Sequence, residues 1–507
     1  MTKQELIKER RSQDWRTELR KAHPNKERIA YERTKMSELP IAERITSFHE
    51  EVSLGYTREE AMAEARRCLD CPNPGCVEGC PVGIHIPSFI KLIEKGEMLE
   101  AVGIIRETSS LPAVCGRVCP QEKQCESQCI YTLSLKKEAV SIGNLERYVA
   151  DYERIHRDHS IKSKRSEKPK LGRIAVVGSG PAGLSFATDM AKWGYDVTVY
   201  EAESQLGGVL RYGIPEFCLP NSIIEDELDK MRDLGVTFQT DTIVGKTITY
   251  EELKAQGIDG IFIATGVGVA NYMGIPGEDL KGVYTASEYL AKYNLMSPEE
   301  LAEALPSLRG KRVAVIGGGN TAIDAVRTAI RLDAKQATIV YRRSEEEMPA
   351  RAEEIKHARE EGTEFLNLHN PVEYLGDESG HVTAMRLERM EWEHRTRVAD
   401  VVLSPLGRSS QSPSMRSSSV SATPQVPWSL SQCLSWRSTS GAISSWTRVR
   451  RPRCPTSMQV VISSAVPPLS SSPWETVAEQ LRQCTRSSLV VSRRERLYRA
   501  SFHSSSY

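Results

Sequence analysis

The sequence predicts a multi-domain chain, in which an α-helical, cysteine-bearing segment is followed by two Rossmann-like α/β nucleotide-binding units. Three observations predict it. Eight of the twelve cysteines lie between Cys68 and Cys129. Two glycine fingerprints, GSGPAG from Gly178 and GGGNTA from Gly317, each follow an apolar run and open a helix-forming stretch. Between the cysteines the pattern is helical, and only after them do strand-like runs begin.

Length and charge set the frame. At 507 residues the chain is long enough for about three domains. Lys plus Arg equals Asp plus Glu, 67 each, which offers nothing to nucleic acid or to an anionic membrane. The balance averages two unlike parts. Residues 401–507 carry 13 Arg, 3 Glu and neither Lys nor Asp, a net +10, which leaves the first 400 residues at about −10. The opening MTKQELIKERRSQDWRTELRK lacks the apolar centre of a signal peptide, and no run of 18 apolar residues follows. A cytoplasmic protein is expected, in which cysteines stay reduced as thiols or metal ligands.

Cys68, Cys71, Cys76 and Cys80 stand at Cys-x2-Cys-x4-Cys-x3-Cys spacing, and Pro81 follows the last. This run suits a loop that aims thiolates at a cuboidal iron–sulfur cluster, and the Cys before Pro characteristically serves a different cluster from its neighbours. Disulfides and zinc are the alternatives. Nothing marks a secreted chain, and zinc-ribbon spacing would require two Cys-x2-Cys pairs where only Cys68 and Cys71 form one. Downstream come Cys115, Cys119, Cys125 and Cys129, so eight thiols nominally match two [4Fe–4S] clusters. Spacing alone leaves open which of them bind.

The flanks read as helix. Thr57 with Glu60 has capping-box spacing before AMAEARR, and Pro72, Pro74, Gly75, Gly79 and Pro81 then break the helix into a cluster-wrapping loop. A second helical stretch, IPSFIKLIEKGEMLEAVGIIRET, is expected to pack the two cysteine groups together. His85, in the apolar VGIHIPSF, reads as a satisfied packing residue.

The first fingerprint sits in GRIAVVGSGPAGLSFATDMAKWGYDVTVYEA, which reads strand, turn, helix, strand. Gly178, Gly180, Pro181, Ala182 and Gly183 form the turn and helix start that would hold a pyrophosphate, and Glu201 is placed for ribose hydroxyls. The second sits in KRVAVIGGGNTAIDAVRTAIRLDAKQATIVYRR, with Gly317, Gly319, Asn320, Thr321 and Ala322 in the corresponding places. Arg342 and Arg343 stand where the first unit has its acid. An arginine there suits the 2′-phosphate of NADPH, although both could instead solvate a strand end or pair with Glu345 to Glu347.

With these residues in view, the chain resembles a family. CLDCPNPGCVEGCP, CGRVCPQEKQC, SIGNLERYVADY, VVGSGPAGL, YGIPEFCLP, IFIATG, VIGGGNTAIDAVRTA and YRRSEEEMPAR look like the small (beta) subunit of NADPH-dependent glutamate synthase. The same module is similar to the N-terminal half of dihydropyrimidine dehydrogenase and to the large subunit of electron-bifurcating ferredoxin:NADP oxidoreductases. The likeness runs from about residue 40 to 395.

The resemblance implies two [4Fe–4S] clusters, one on Cys68, Cys71, Cys76 and Cys129, the other on Cys80, Cys119, Cys125 and a non-cysteine ligand corresponding to Glu146, with Cys115 spare. It implies FAD on Gly178 to Gly183 and Glu201, with Gly207, Gly208, Thr265 and Gly266 nearby, and NADPH on the second fingerprint. It implies no catalytic side chain, because cofactors carry the hydride and electron chemistry. The NADPH domain is then inserted in the FAD domain, with divisions at 1–165, 166–290, 291–400 and 401–507. The implied role is electron input to an FMN-containing large subunit that makes glutamate from glutamine and 2-oxoglutarate. The alternatives are a bifurcating, ferredoxin-linked subunit, or a degenerate paralogue acting as a scaffold.

The tail departs from this pattern. Ser makes up 29 of residues 401–507, and the Gly-Asp segment with which such a FAD domain ends is missing. Codons compatible with Gln459 to Arg486, read from the third base, allow such a segment. The tail therefore reads as a reading-frame error, the alternative being a disordered Ser/Arg-rich extension.

Overall fold

Helices build the first part, as the sequence pattern requires. The computed structural model describes residues 2–157, 171–266, 272–296, 307–392 and 403–405. Helices α1 (Lys3–Arg11) and α2 (Asp14–Ala22) lead to α3 (Arg58–Arg67), whose start is the expected capping box: Thr57 accepts the Glu60 N–H and Glu60 accepts that of Thr57.

One expectation is corrected. The stretch from Ile86 is two helices, α4 (Ile86–Lys95) and α5 (Met98–Arg106). Gly96 separates them with φ 96°, a left-handed position that glycine takes without a Cβ penalty, and Glu97 N–H closes the turn on Leu92 O at 2.9 Å. The break folds α5 back, so Phe89, Ile93, Val102 and Ile105 share one buried cluster with Leu145 and Val149. Helices α6 (Pro112–Val118) and α7 (Ile142–His156) complete the layer. They nearly touch, since a Cβ on Gly116 would lie 2.6 Å from the Arg147 backbone.

The first α/β unit is a parallel sheet of β1 (Arg173–Val177), β2 (Asp196–Tyr200), β3 (Thr237–Gln239) and β4 (Gly260–Ile263), in the order β3-β2-β1-β4. Helix α8 (Pro181–Lys192) crosses from β1 to β2, and α9 (Asn221–Asp233) from β2 to β3. Buried Ile174, Val176, Val197 and Val199 meet Leu184, Ala187, Leu228 and Met231 in one core. The second unit follows α10 (Ala286–Leu295) and is a parallel sheet β5-β6-β7, of β5 (Arg312–Ile316), β6 (Gln336–Tyr341) and β7 (Glu364–Asn367), with α11 (Asn320–Arg331) and α12 (Ala352–Glu360) as its crossovers. An antiparallel sheet of β8 (His369–Gly376), β9 (Val382–Trp392) and β10 (Leu403–Pro405) comes after it.

The two units are bolted together by the YGIPEFCLP segment. Its Phe217 ring, 1% exposed, packs against the guanidinium carbons of Arg331 and Arg327 at 3.8 and 4.7 Å from the ring centroid. Both arginines pair with Glu361 at 2.8 Å, and neither Glu361 nor they expose their side chains. Phe217 O also accepts the Val52 N–H at 3.0 Å, which ties in the helical domain.

Among the described residues no helix is long and apolar enough to cross a membrane. Apart from 403–405, the Ser/Arg-rich tail and the expected return to the FAD domain lie outside the described residues.

Candidate functional site

The thiols fall into two groups. Cys68 caps the C-terminus of α3, Cys76 lies in the short helix Gly75–Glu78, and Cys129 precedes the short helix Ile130–Leu133. With Cys71 they line one cavity of about 440 Å³, to which Cys80 does not contribute. Glycines permit the gathering. A Cβ on Gly75 would sit 2.7 Å from Gln128 O, and one on Gly79 would sit 2.9 Å from Gln124 O, so the 71–80 loop can lie directly on the 124–129 loop. The loop is fastened at Asp70, whose φ of 52° turns the chain and whose buried carboxylate pairs with Arg16 and, at 2.5 Å, with Arg20.

These thiols are held in mutual conflict. Burial pushes Cys71 up to about 12, and the thiolates of Cys68 and Cys129 add to the rise. Cys76 is raised by burial and then by Cys68, Cys129 and Cys71. Crowded thiols whose ionised forms repel one another, as at Cys71 and Cys76, suit a site completed by a cationic centre, because a metal deprotonates its thiols outright.

The second group surrounds Glu146 on α7. Glu146 raises the thiols of Cys80, Cys115, Cys119 and Cys125, burial being the first cause in each case. Its own carboxyl is pushed up to about 8 by burial, and its Oε1 has no hydrogen-bond partner among the described residues. A buried, unpartnered carboxylate oxygen among thiols fits a ligand position. Cys115, expected to be spare, stands within this electrostatic group as well.

His85 corrects one expectation. It is buried at 6% exposure, yet its Nδ1 has no partner among the described residues, so it is a packing residue whose ring nitrogen is left unsatisfied there. It stands at the N-cap of α4, before Ile86 and Pro87, and its side chain makes no cap hydrogen bond.

The first glycine turn is assembled from four places in the chain. Gly178 takes φ 102°, its N–H bonds Tyr200 O at 2.8 Å, and a Cβ there would collide with the Ala264 carbonyl, just before Thr265 and Gly266. A Cβ on Gly183 would collide with Gly178 O, while no described residue lies within 4 Å of one on Gly180, at the N-terminus of α8 before Pro181 and Ala182. Gly208 comes alongside Gly180, and Gly207 precedes it.

Glu201 is engaged from within. Its Oε2 accepts the Ser179 N–H at 2.8 Å and the Ser179 hydroxyl at 2.5 Å, its Oε1 accepts the Glu203 N–H at 3.1 Å, and the residue is 7% exposed. Ser179 Oγ in turn accepts the Gly207 N–H at 3.0 Å. Ser179 thus ties the glycine turn to Glu201 and Gly207, a role no sequence reading assigned; its place between Gly178 and Gly180 was the available signal.

The second turn has the same plan. Gly317 takes φ 134° and donates to Val340 O at 3.0 Å, and Ala322 packs at the position Gly183 holds in the first turn. Gly319 caps α11 and Thr321 is exposed in its first turn, whereas the Asn320 Oδ1 accepts the Arg351 N–H at 2.9 Å. Arg342 is exposed just past β6, and Arg343 stands 3.9 Å from Glu347. Arg351, Glu122 and Lys123 form contacts here that sequence reasoning missed, because more than 220 residues separate the partners.

Comparison with known proteins agrees with this geometry. Residues 44–158 match the family described as dihydropyrimidine dehydrogenase domain II, 4Fe-4S cluster, and residues 172–424 match pyridine nucleotide-disulphide oxidoreductase. The chain is 37% identical to the glutamate synthase [NADPH] small chain of Escherichia coli, over 66% of this chain and 71% of that protein. It is 40% identical to that of Halomonas elongata, over 64% and 68%. It is 37% identical to the NADPH-Fe(3+) oxidoreductase subunit beta of Geobacter sulfurreducens, over 70% of this chain but only 51% of that protein.

Helical thiol domain and paired glycine turns thus define an NADPH-dependent flavin and iron–sulfur oxidoreductase. The chain belongs to the family of the glutamate synthase [NADPH] small chain.

Proposed function

We propose that this protein is the electron-input subunit of a glutamate synthase, working in the cytoplasm beside an FMN-containing large subunit that makes glutamate from glutamine and 2-oxoglutarate. The observation that carries the reading is the pair of thiol groups, one lining its own cavity and the other gathered around buried Glu146, whose Oε1 has no hydrogen-bond partner among the described residues. In this reading Cys68, Cys71, Cys76 and Cys129 hold one cluster, and Cys80, Cys119, Cys125 and Glu146 hold the other. Gly178, Gly180, Pro181, Ala182, Gly183, Gly207, Gly208, Thr265 and Gly266 hold FAD. Glu201 keeps that turn in shape through Ser179, and its Oε1 could still accept a ribose hydroxyl. Gly317, Gly319, Asn320, Thr321 and Ala322 hold NADPH, with Arg342 and Arg343 at the 2′-phosphate.

When bound, flavin converts two-electron hydride chemistry into one-electron transfer, and the clusters carry single electrons onward. The protein's own part is orientation and charge. The space left by the described residues at Gly180 admits the pyrophosphate to the α8 N-terminus, and buried thiols keep the clusters from water. The domain divisions at about residues 165, 290 and 400 belong to this proposal, as does the reading-frame error in the tail; resequencing the encoding DNA across codons 389 to 410 tests the latter.

Iron, sulfide and flavin analysis of the purified chain, together with NADPH-dependent reduction of ferricyanide, tests the oxidoreductase reading. Capture of the native partner tests the destination of the electrons. A glutamine-using large subunit supports the proposal. A ferredoxin-linked partner would support the bifurcating reading instead, and a metal-reducing one the kind of role named in the similar Geobacter subunit.

A further inference from the structure

The segment Met348–Ala352, at the end of YRRSEEEMPAR, joins the second glycine turn to the loop that carries Cys119. On one side Ala350 N–H bonds Gly318 O at 3.1 Å and Arg351 N–H bonds Asn320 Oδ1 at 2.9 Å. On the other side Lys123 Nζ donates to Met348 O and Ala350 O, each at 2.9 Å, and Ala352 N–H donates to Glu122 Oε1 at 3.0 Å. The Arg351 side chain crosses the same boundary and donates through Nη1 to Arg117 O, two residues before Cys119.

Three features make Arg351 more than a clamp. The residue is 8% exposed, so its charge is poorly screened by solvent. Its Nε has no partner among the described residues, which leaves a buried donor free for an acceptor. Its guanidinium also reaches Arg117 O, which sets a fixed positive charge against the loop that carries Cys119. The carboxylates facing it are Glu353, whose Oε2 lies 3.0 Å from Nη2, then Glu354 and Glu122.

We propose that Arg351 is a positioning residue that sets the reduction potential of the cluster held by Cys80, Cys119 and Cys125, and that it does so from the nucleotide-binding domain. Reduction adds one electron, and so one negative charge, to a cluster. A nearby guanidinium stabilises that form and moves the potential in the positive direction, as hydrogen bonds and charge around cluster sulfurs do generally. The cluster of Cys68, Cys71, Cys76 and Cys129 occupies its own cavity, which Arg351 does not line, and is not affected. Electron acceptance at the near cluster is thereby tied to correct docking of the NADPH turn, because Asn320 and Gly318 fix the backbone that carries Arg351.

The inference rests on the cluster assignment proposed above. The test is a potentiometric titration of the full, cluster-loaded chain with dithionite, followed by paramagnetic resonance so that the two reduced centres are resolved. In Arg351→Gln the potential of one centre moves negative while the other stays in place; Arg351→Lys, which keeps the charge, stays close to the wild type. Unchanged potentials in Arg351→Gln at wild-type iron content, or equal shifts of both centres, would overturn the inference. Should Arg351→Gln fail to hold iron, Glu353→Gln decides: freeing Arg351 from its carboxylate moves the same single centre positive, and no such movement overturns the inference. A wild-type chain without two resolved centres would instead defeat the cluster assignment itself.

Discussion

Gly208 and Gly180 meet across the first nucleotide turn: a Cβ on Gly208 would lie 2.7 Å from the Gly180 Cα, and Gly208 already sits at φ 55°. Gly208→Val therefore strains its own backbone and pushes into the turn at Gly180. Strain of this kind costs about 1–3 kcal/mol. We expect FAD retention to weaken at least about tenfold, the equivalent of ~1.4 kcal/mol. Flavin-to-protein ratio after gel filtration checks this, and full flavin occupancy in the variant would contradict it.

Glu146→Gln removes the carboxylate that acts on all four thiols of the second group. An amide is a poor ligand for iron, so iron content should fall from about eight toward about four atoms per chain, the remaining cluster being that of Cys68, Cys71, Cys76 and Cys129. Quantitative iron and sulfide analysis measures it. Retention of all iron would remove Glu146 from the ligand set and turn attention to Cys115.

Arg342 and Arg343 predict cofactor preference. Replacing both by Gln should raise the KM for NADPH by about 10- to 100-fold, as expected from the loss of about 1.5–3 kcal/mol of charge-assisted hydrogen bonding. NADH should be used about as well as before. Steady-state diaphorase kinetics with both nucleotides decide it, and an equal loss with each would show that the arginines only support the strand end.

Glu361 predicts acid sensitivity. Burial raises its carboxyl, but the hydrogen bonds and charges of Arg327 and Arg331 win and bring it down to about 2, from the ordinary 4.5. A depressed acid stabilises the fold above its unfolded value, and that stability is lost as pH falls from about 4.5 toward about 2. Glu361→Gln should destabilise the chain at neutral pH by about 3–5 kcal/mol, since it takes the carboxylate partner from buried Arg331 and leaves Arg327 with Glu354 alone. Thermal melts should show the gap between variant and wild type narrowing in acid; a constant gap would count against the pair.

Much of the fold was legible because local chemistry and tertiary contact agree. The box at Thr57 and Glu60, the strand–turn–helix–strand order at Gly178 and Gly317, and the alternation of parallel strands with helices all follow from short-range pattern. The break at Gly96 was missed because apolar periodicity continues on both sides of it, and only the left-handed turn separates α4 from α5. The site was legible in its residue types and less so in its contacts. Ser179 lay within a recognised motif, but its bonds to Glu201 and Gly207 span 22 and 28 positions. No spacing rule reaches so far.

By itself the sequence determined that cluster-type thiols precede two dinucleotide turns, since cysteine spacing and glycine positions are written in consecutive residues. The resemblance added a ligand assignment. Only the tertiary structure decided which thiols share a cavity, that Glu146 is buried with an oxygen unpartnered, and that Arg351 reaches across to the loop of Cys119. The reason is physical: spacing along a chain constrains neighbours within a few turns, whereas the charge felt by a buried thiol depends on whichever distant segments packing brings against it.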